Sequence, residues 1–234
     1  MPNIKVLDQT TINQIAAGEV VERPASVVKE LLENAVDAKA TAVTVEIRDG
    51  GISFIRVTDN GCGIPREELP LAFLRHSTSK IQSVEDLFTI SSLGFRGEAL
   101  SSIGAVSQVE VITKTAGSLT GTRYQIEGGL ETGCEEIGSP DGTTFIVRNL
   151  FYNTPVRKKF FENCCNGRGS CGRSGGKKSP YLIRKISIRF IQNKSEQAAH
   201  LWKSQCKKIL FIRSLAERLQ PACCRWTKQV KRCQ

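Results

Sequence analysis

The sequence predicts an α+β fold: a mixed, mostly antiparallel sheet with helices packed on one face. Three observations lead there. Apolar residues recur at helical spacing after Pro24, and several later segments alternate apolar and polar residues with the period of a strand. Most of those segments also follow one another through short turns.

Taken in order, Pro24-Ala25-Ser26 opens a helix that runs to about Ala38, and proline suits the first helical turn because its missing N–H has no partner there anyway. Val27, Leu31 and Ala35 fall on one side of it, with Val28 and Leu32 beside them. Val43-Thr44-Val45-Glu46-Ile47 alternates like a half-buried strand, Gly50-Gly51 makes a turn, and Ile52 to Val57 returns as a second strand. Asp59-Asn60-Gly61 ends it, so the pair reads as a β-hairpin. Further strands are predicted at Val106–Thr113, Arg123–Glu127 and Thr143–Arg148.

The chain has 234 residues, 40% hydrophobic and 24% charged, an ordinary balance for a globular protein with a sizeable core. No apolar run approaches the roughly 20 residues needed to span a bilayer. The start, Met1-Pro2-Asn3-Ile4-Lys5-Val6, has no apolar signal region, so no membrane partner is expected and the expected compartment is the cytoplasm. The formal net charge of +10 is unevenly spread. Up to Asn163 there are 16 Lys/Arg against 21 Asp/Glu; from Cys164 onward there are 17 against two, Glu196 and Glu217. Seven of the nine cysteines and both tryptophans also lie beyond Asn163. The basic charge therefore says little about what the first part binds, although such a tail would adhere to nucleic acid in a salt-dependent way.

Three segments carry chemistry. Glu30, Asn34 and Asp37 stand at i, i+4 and i+7, which puts a carboxylate, a carboxamide and a second carboxylate on one helix face. An amide oxygen can hold a hard Mg²⁺ without adding charge while a carboxylate deprotonates water. By spacing alone, the same positions also fit a solvated polar face. Asp59-Asn60-Gly61-Cys62-Gly63-Ile64 follows a strand; an acid there can accept a hydrogen bond from an exocyclic amine, and the glycines allow close backbone approach. A plain Asx turn would read the same way. Ser92 to Ile103 is a glycine-containing loop running into a helix, where backbone N–H groups and the helix dipole favour phosphate. Thr78-Ser79-Lys80 adds hydroxyls and a cation. No G-x-x-x-x-G-K-[ST] pattern is present, which argues against an ordinary P-loop enzyme. The tail cysteines lack the paired C-x₂-C spacing of zinc sites, and His76 and His200 are isolated, with His76 read as local packing.

The order of these segments matters more than any one of them. Glu30 and Asn34 on a helix, then Asp59-x-Gly61-x-Gly63, then Gly94-x-x-Gly97, then Gly142-Thr143-Thr144 resembles the four-motif succession of the Bergerat, or GHKL, nucleotide fold. Three longer runs resemble its MutL/PMS mismatch-repair branch: Asn13 to Pro24, Gly94 to Leu100, and Leu150 to Phe160. Histidine kinases, gyrase B and Hsp90 share the sparse motifs but not these runs. The resemblance implies ATP and Mg²⁺ as cofactors, with Glu30 as the general base, Asn34 as the Mg²⁺ ligand and Asp37 beside them. It implies Asp59 reading adenine, with Gly61, Gly63 and Thr143 near the same pocket. Thr78, Ser79 and Lys80, with Leu93, Gly94, Phe95, Arg96 and Gly97, correspond to the lid over the phosphates. It further implies DNA and a MutS-type mismatch-recognition protein as partners, and an ATP-dependent homodimer of N-terminal regions.

The resemblance covers residues 1 to about 161. Residues 162–185 read as a Cys/Gly/basic low-complexity segment, expected to be disordered. Residues 186–234 read as the remnant of a second domain: Ile186 to Ile191 alternates like a strand, and 207–219 has the pattern of a basic amphipathic helix. This break predicts a truncation or a reading-frame disruption. It leaves two functional expectations, a slow ATPase acting as a conformational switch, or a remnant that binds nucleotide without turning it over.

Overall fold

The computed structural model describes residues 5–77, 97–166, 185–193 and 195–203. Among them lie five helices: α1 (Gln9–Val20), α2 (Pro24–Asp37), the single turn α3 (Leu69–Ala72), α4 (Ala99–Val106) and α5 (Pro155–Asn166). The strands are β1 (Ala42–Arg48), β2 (Phe54–Asp59), β3 (Gln108–Lys114), β4 (Gly121–Glu127), β5 (Leu130–Ile137), β6 (Gly142–Arg148), β7 (Lys185–Gln192) and β8 (Ser195–Lys203). They form one sheet in the order β5-β4-β3-β6-β2-β1-β7-β8. Only β1 and β7 run parallel; every other neighbouring pair is antiparallel.

Strand alternation sorts the side chains into two faces. On the inner face the register aligns Ile47, Ile55, Val147, Val109 and Ile126 in one row across β1, β2, β6, β3 and β4. Val45, Val57, Phe145, Val111 and Tyr124 make the next row. All ten are buried, and α2 packs on β1 and β2 while α4 packs on β3 and β4. Helix α2 presents Val27, Val28, Leu31, Leu32 and Ala35, the positions its periodicity predicted. Fully burying side chains of this kind stabilises the fold by about 1.5–3 kcal/mol each.

The opposite face is a charged lattice. Glu46 sits across from Arg56 and pairs with it at 2.6 Å and with Arg48 at 2.9 Å. Glu110 takes Arg148 at 2.6 Å and Arg123 at 2.7 Å. Burial pushes the Glu110 carboxyl upward, but hydrogen bonds from the two guanidiniums outweigh it and the net shift is down.

Some boundaries differ from the sequence reading. Strand β2 starts at Phe54 because Ile52 and Ser53 complete the turn, where the Ser53 hydroxyl donates to Asp49 Oδ2. Strand β3 starts at Gln108 because Val106 ends α4. Cys164, Cys165 and Asn166 close α5, although their composition read as linker. Strands β7 and β8 extend the same sheet as β1–β6, with Ile186 and Ile188 buried in its core. The amphipathic stretch 207–219 lies outside the described residues.

Candidate nucleotide site

Two residues along from the row led by Val45, the inner face of the sheet changes character. The register there brings Val43, Asp59, Thr143, Thr113 and Thr122 into line. Asp59, Thr143, Thr113 and Thr122 are 8%, 5%, 1% and 7% exposed, so four polar side chains line a row whose two neighbours are built of Val, Ile, Phe and Tyr. Buried polar groups persist only where partners satisfy them. Asp59 Oδ1 accepts the Gly61 N–H at 2.8 Å, and the backbone N–H of Thr143 also donates to its carboxylate. The Thr113 hydroxyl accepts the Ile64 N–H at 2.8 Å, lies 3.2 Å from Gly142 O and meets the Thr143 hydroxyl at 3.1 Å. Burial raises the Asp59 carboxyl above its ordinary range, and the two backbone donors pull it back only in part.

The loop after β2 is stitched to the end of α2. Asn60 Oδ1 accepts the N–H groups of Thr41 and Ala42 at 2.9 and 2.8 Å, and its amide donates to the Thr41 hydroxyl. The Cys62 N–H donates to Ala38 O at 3.0 Å. Gly61 is packed so closely on Ala38 that a Cβ would lie 2.7 Å from both its methyl and its carbonyl oxygen. This stitching fixes the polar face of α2 relative to Asp59. Asp37, beside Ala38, is at the Asp59 end, and Glu30 lies about 10 Å further back along the helix axis at 1.5 Å per residue. Glu30 accepts a hydrogen bond from Lys29 at 2.8 Å, and Asn34 and Asp37 are half-buried.

Gly97, with φ of +61°, lies against the backbone of Ser77, and α4 begins two residues later. The first-turn N–H groups of α4 have no acceptor within the helix, the usual basis for anion binding. His76 Nδ1 is 3.3 Å from Glu98 Oε1, and its side chain is 75% exposed rather than packed as the sequence reading expected. Thr78, Ser79, Lys80, Leu93, Gly94, Phe95 and Arg96 lie outside the described residues. The structure thus gathers Asp59, Gly61, Gly63 and Thr143 at one end of the sheet, with the face of Glu30, Asn34 and Asp37 on the helix stitched to it. Sequence reasoning missed Thr113, although it continues the alternation of Val109 and Val111 and so puts a hydroxyl where a buried aliphatic is expected. It also left Asn60 unassigned.

Among the described residues no three His, Cys, Asp or Glu side chains gather as a metal cluster. Helix α2 instead offers the Asn34 amide oxygen, a hard neutral donor that fits a small divalent cation completing its shell with phosphate oxygens and water. No helix among the described residues is long and apolar enough to cross a membrane.

Residues 22–132 match the family described as histidine kinase-, DNA gyrase B-, and HSP90-like ATPase. The mixed sheet, the one-sided helices and this match define the class: a domain of the GHKL ATPase fold. The DNA mismatch repair protein MutL of Agathobacter rectalis is 59% identical over 211 residues, 90% of this chain, so the match runs on well beyond Asn163. A crystal structure of the N-terminal domain of a DNA repair protein superposes with a TM-score of 0.62 at 27% identity, covering 86% of this chain and 60% of that one. The Aquifex aeolicus MutL ATPase domain complexed with ADP gives 0.50 at 27% identity, covering 83% and 70%. Within the GHKL class, the chain is similar to the N-terminal region of MutL mismatch-repair proteins. It spans about a third of the Agathobacter protein's length, 32%.

Proposed function

We propose that this chain binds ATP with Mg²⁺ at the end of its sheet, hydrolyses it slowly, and serves as a nucleotide-driven conformational switch in DNA mismatch repair. The observation that carries the proposal is the buried polar row Asp59–Thr143–Thr113, which interrupts an otherwise apolar inner face beside the Glu30–Asn34–Asp37 face of α2. The likeness to an ADP-bound MutL ATPase domain supports the same pocket.

In this reading the Asp59 carboxylate accepts the exocyclic amine of adenine, and Gly61 and Gly63 let the base approach the backbone. The Thr143 hydroxyl, braced by Thr113, lies on the same side. The phosphates extend toward Glu30 and the loop at Gly97 that leads into α4. Asn34 would hold Mg²⁺, which neutralises phosphate charge when bound. Glu30 takes a proton from the attacking water as its oxygen bonds to the γ-phosphorus. The bond to the β–γ bridging oxygen then breaks and its electron pair leaves with ADP. DNA, a MutS-type mismatch-recognition protein and a second copy of the N-terminal region are the partners of this activity, in the cytoplasm. The exposed apolar side chains Val6, Leu7, Ile12 and Ile15 on and before α1 suit the self-contact.

Calorimetry with ADP and Mg²⁺, followed by steady-state ATP hydrolysis, tests the proposal. Binding together with turnover that disappears in Glu30→Ala supports it. Binding without turnover in the unmutated chain would leave the non-hydrolysing reading, and absence of binding would reject the site.

A further inference from the structure

One cation on α2 has no part in the chemistry above. Lys29 Nζ lies 2.8 Å from Glu30 Oε1 and 3.1 Å from Glu33 Oε2. The second contact is an i,i+4 pair and forms naturally on a helix; the first joins adjacent residues, which point about 100° apart, so the lysine stem must lean across to reach it. The three side chains are graded in exposure, with Glu33 at 5%, Glu30 at 24% and Lys29 at 41%. A carboxylate as deep as Glu33 is stable in charged form only when paired, so it fixes the ammonium in place rather than competing for it as a mobile surface acid would. The remaining N–H bonds of that ammonium are then free to direct Glu30.

We propose that Lys29 is a positioning residue for Glu30, anchored from below by the buried Glu33 and holding the Glu30 carboxylate in one orientation on the pocket side of α2. This inference rests on the reading of Glu30 as the base. It assigns Lys29 and Glu33 a role that neither substrate contact nor core packing requires. A general base gains its efficiency from being held within hydrogen-bond reach of the water, and a displacement of about 1 Å can cost as much as 100-fold in rate. An exposed glutamate with three free rotatable bonds has no such constraint. The Glu33–Lys29–Glu30 chain supplies one from within a single helix.

The test uses the full chain with Lys29→Met, Lys29→Arg, Glu33→Gln and Glu30→Gln, each checked for folding by its urea midpoint. Lys29→Met is expected to lower kcat about tenfold while KM for ATP and calorimetric ADP affinity stay within about twofold. Lys29→Arg should recover most of the loss, and Glu33→Gln should reproduce part of it. An unchanged kcat in Lys29→Met, or a parallel loss of ADP affinity, overturns the proposal. A readout independent of turnover is the double-mutant cycle of Lys29→Met with Glu30→Gln on the unfolding equilibrium. The two substitutions should fail to multiply by about threefold or more, and a cycle that closes overturns the proposal even if the chain does not hydrolyse ATP. If turnover survives Glu30→Gln, the assignment of the base is what fails; if Glu30→Gln abolishes it and Lys29→Met leaves it intact, only the positioning role is lost.

Discussion

Gly63 rests against the carbonyl of Lys114, so close that a Cβ at residue 63 would overlap the carbonyl oxygen and carbon. Its φ of +76° is also one that side chains rarely adopt. Gly63→Ala should therefore destabilise the fold by about 1–3 kcal/mol and weaken ADP binding at least tenfold. Gly117→Ala, where a Cβ meets nothing within 4 Å, is the matched control and should be near neutral. Urea denaturation and calorimetry on both variants check the pair.

Thr113→Val keeps the shape of the buried side chain and removes its hydroxyl. The Ile64 N–H loses its acceptor and the Thr143 hydroxyl loses its neighbour. A buried donor left without a partner costs about 1–3 kcal/mol, which should appear as a lower urea midpoint with an unchanged slope. ADP affinity should fall severalfold, since the residue that braces Thr143 is gone.

Asp59→Asn tests the buried acid. The folded-state pKa of Asp59 lies above its ordinary value of 3.8, so its protonated form favours the fold; that contribution is fully present below 3.8 and is lost as pH rises through the raised value. Asparagine stays neutral throughout. The stability of Asp59→Asn relative to the unmutated chain should therefore increase from acid to neutral pH, while ADP binding at pH 7 drops at least tenfold. Urea titrations at pH 4 and pH 7 measure the first effect, and a difference that runs the other way would contradict it.

Ile15 is 55% exposed on α1. Ile15→Glu should leave ADP affinity and the urea midpoint unchanged within error while abolishing any nucleotide-dependent self-association. Sedimentation velocity with a non-hydrolysable ATP analogue distinguishes the two forms.

Much of this was legible in the chain, and the exceptions share causes. Helix α2 could be read because Val27, Leu31 and Ala35 recur with its period, and β1, β4 and β6 because one face of each is buried. Strand β5 was not: its side chains are mostly exposed, so Leu130 to Ile137 shows no alternation of the kind burial imposes. Helix α1 was missed because Thr10, Thr11 and Gly18 weaken its propensity, and its neighbour α4 supplies packing that no local pattern reveals. The site divides the same way. Asp59, Gly61 and Gly63 are adjacent in sequence, whereas Thr113 and Thr143 meet Asp59 only because β6 inserts between β2 and β3. That insertion is a long-range pairing, which short-range spacing does not encode.

The parallel pairing of β1 with β7 has a consequence for synthesis. Residues 42–48 leave the ribosome long before 185–192, so until β7 has been made β1 is the bare margin of a growing sheet, with Val43, Val45 and Ile47 already committed to the core. An unpaired, strongly apolar strand margin is a template for other chains, and distant pairings of this kind form late. Yield from a crowded cell should depend on how quickly β7 arrives, and substitutions at Ile186 or Ile188 should reduce soluble protein more than their cost to the finished fold would indicate.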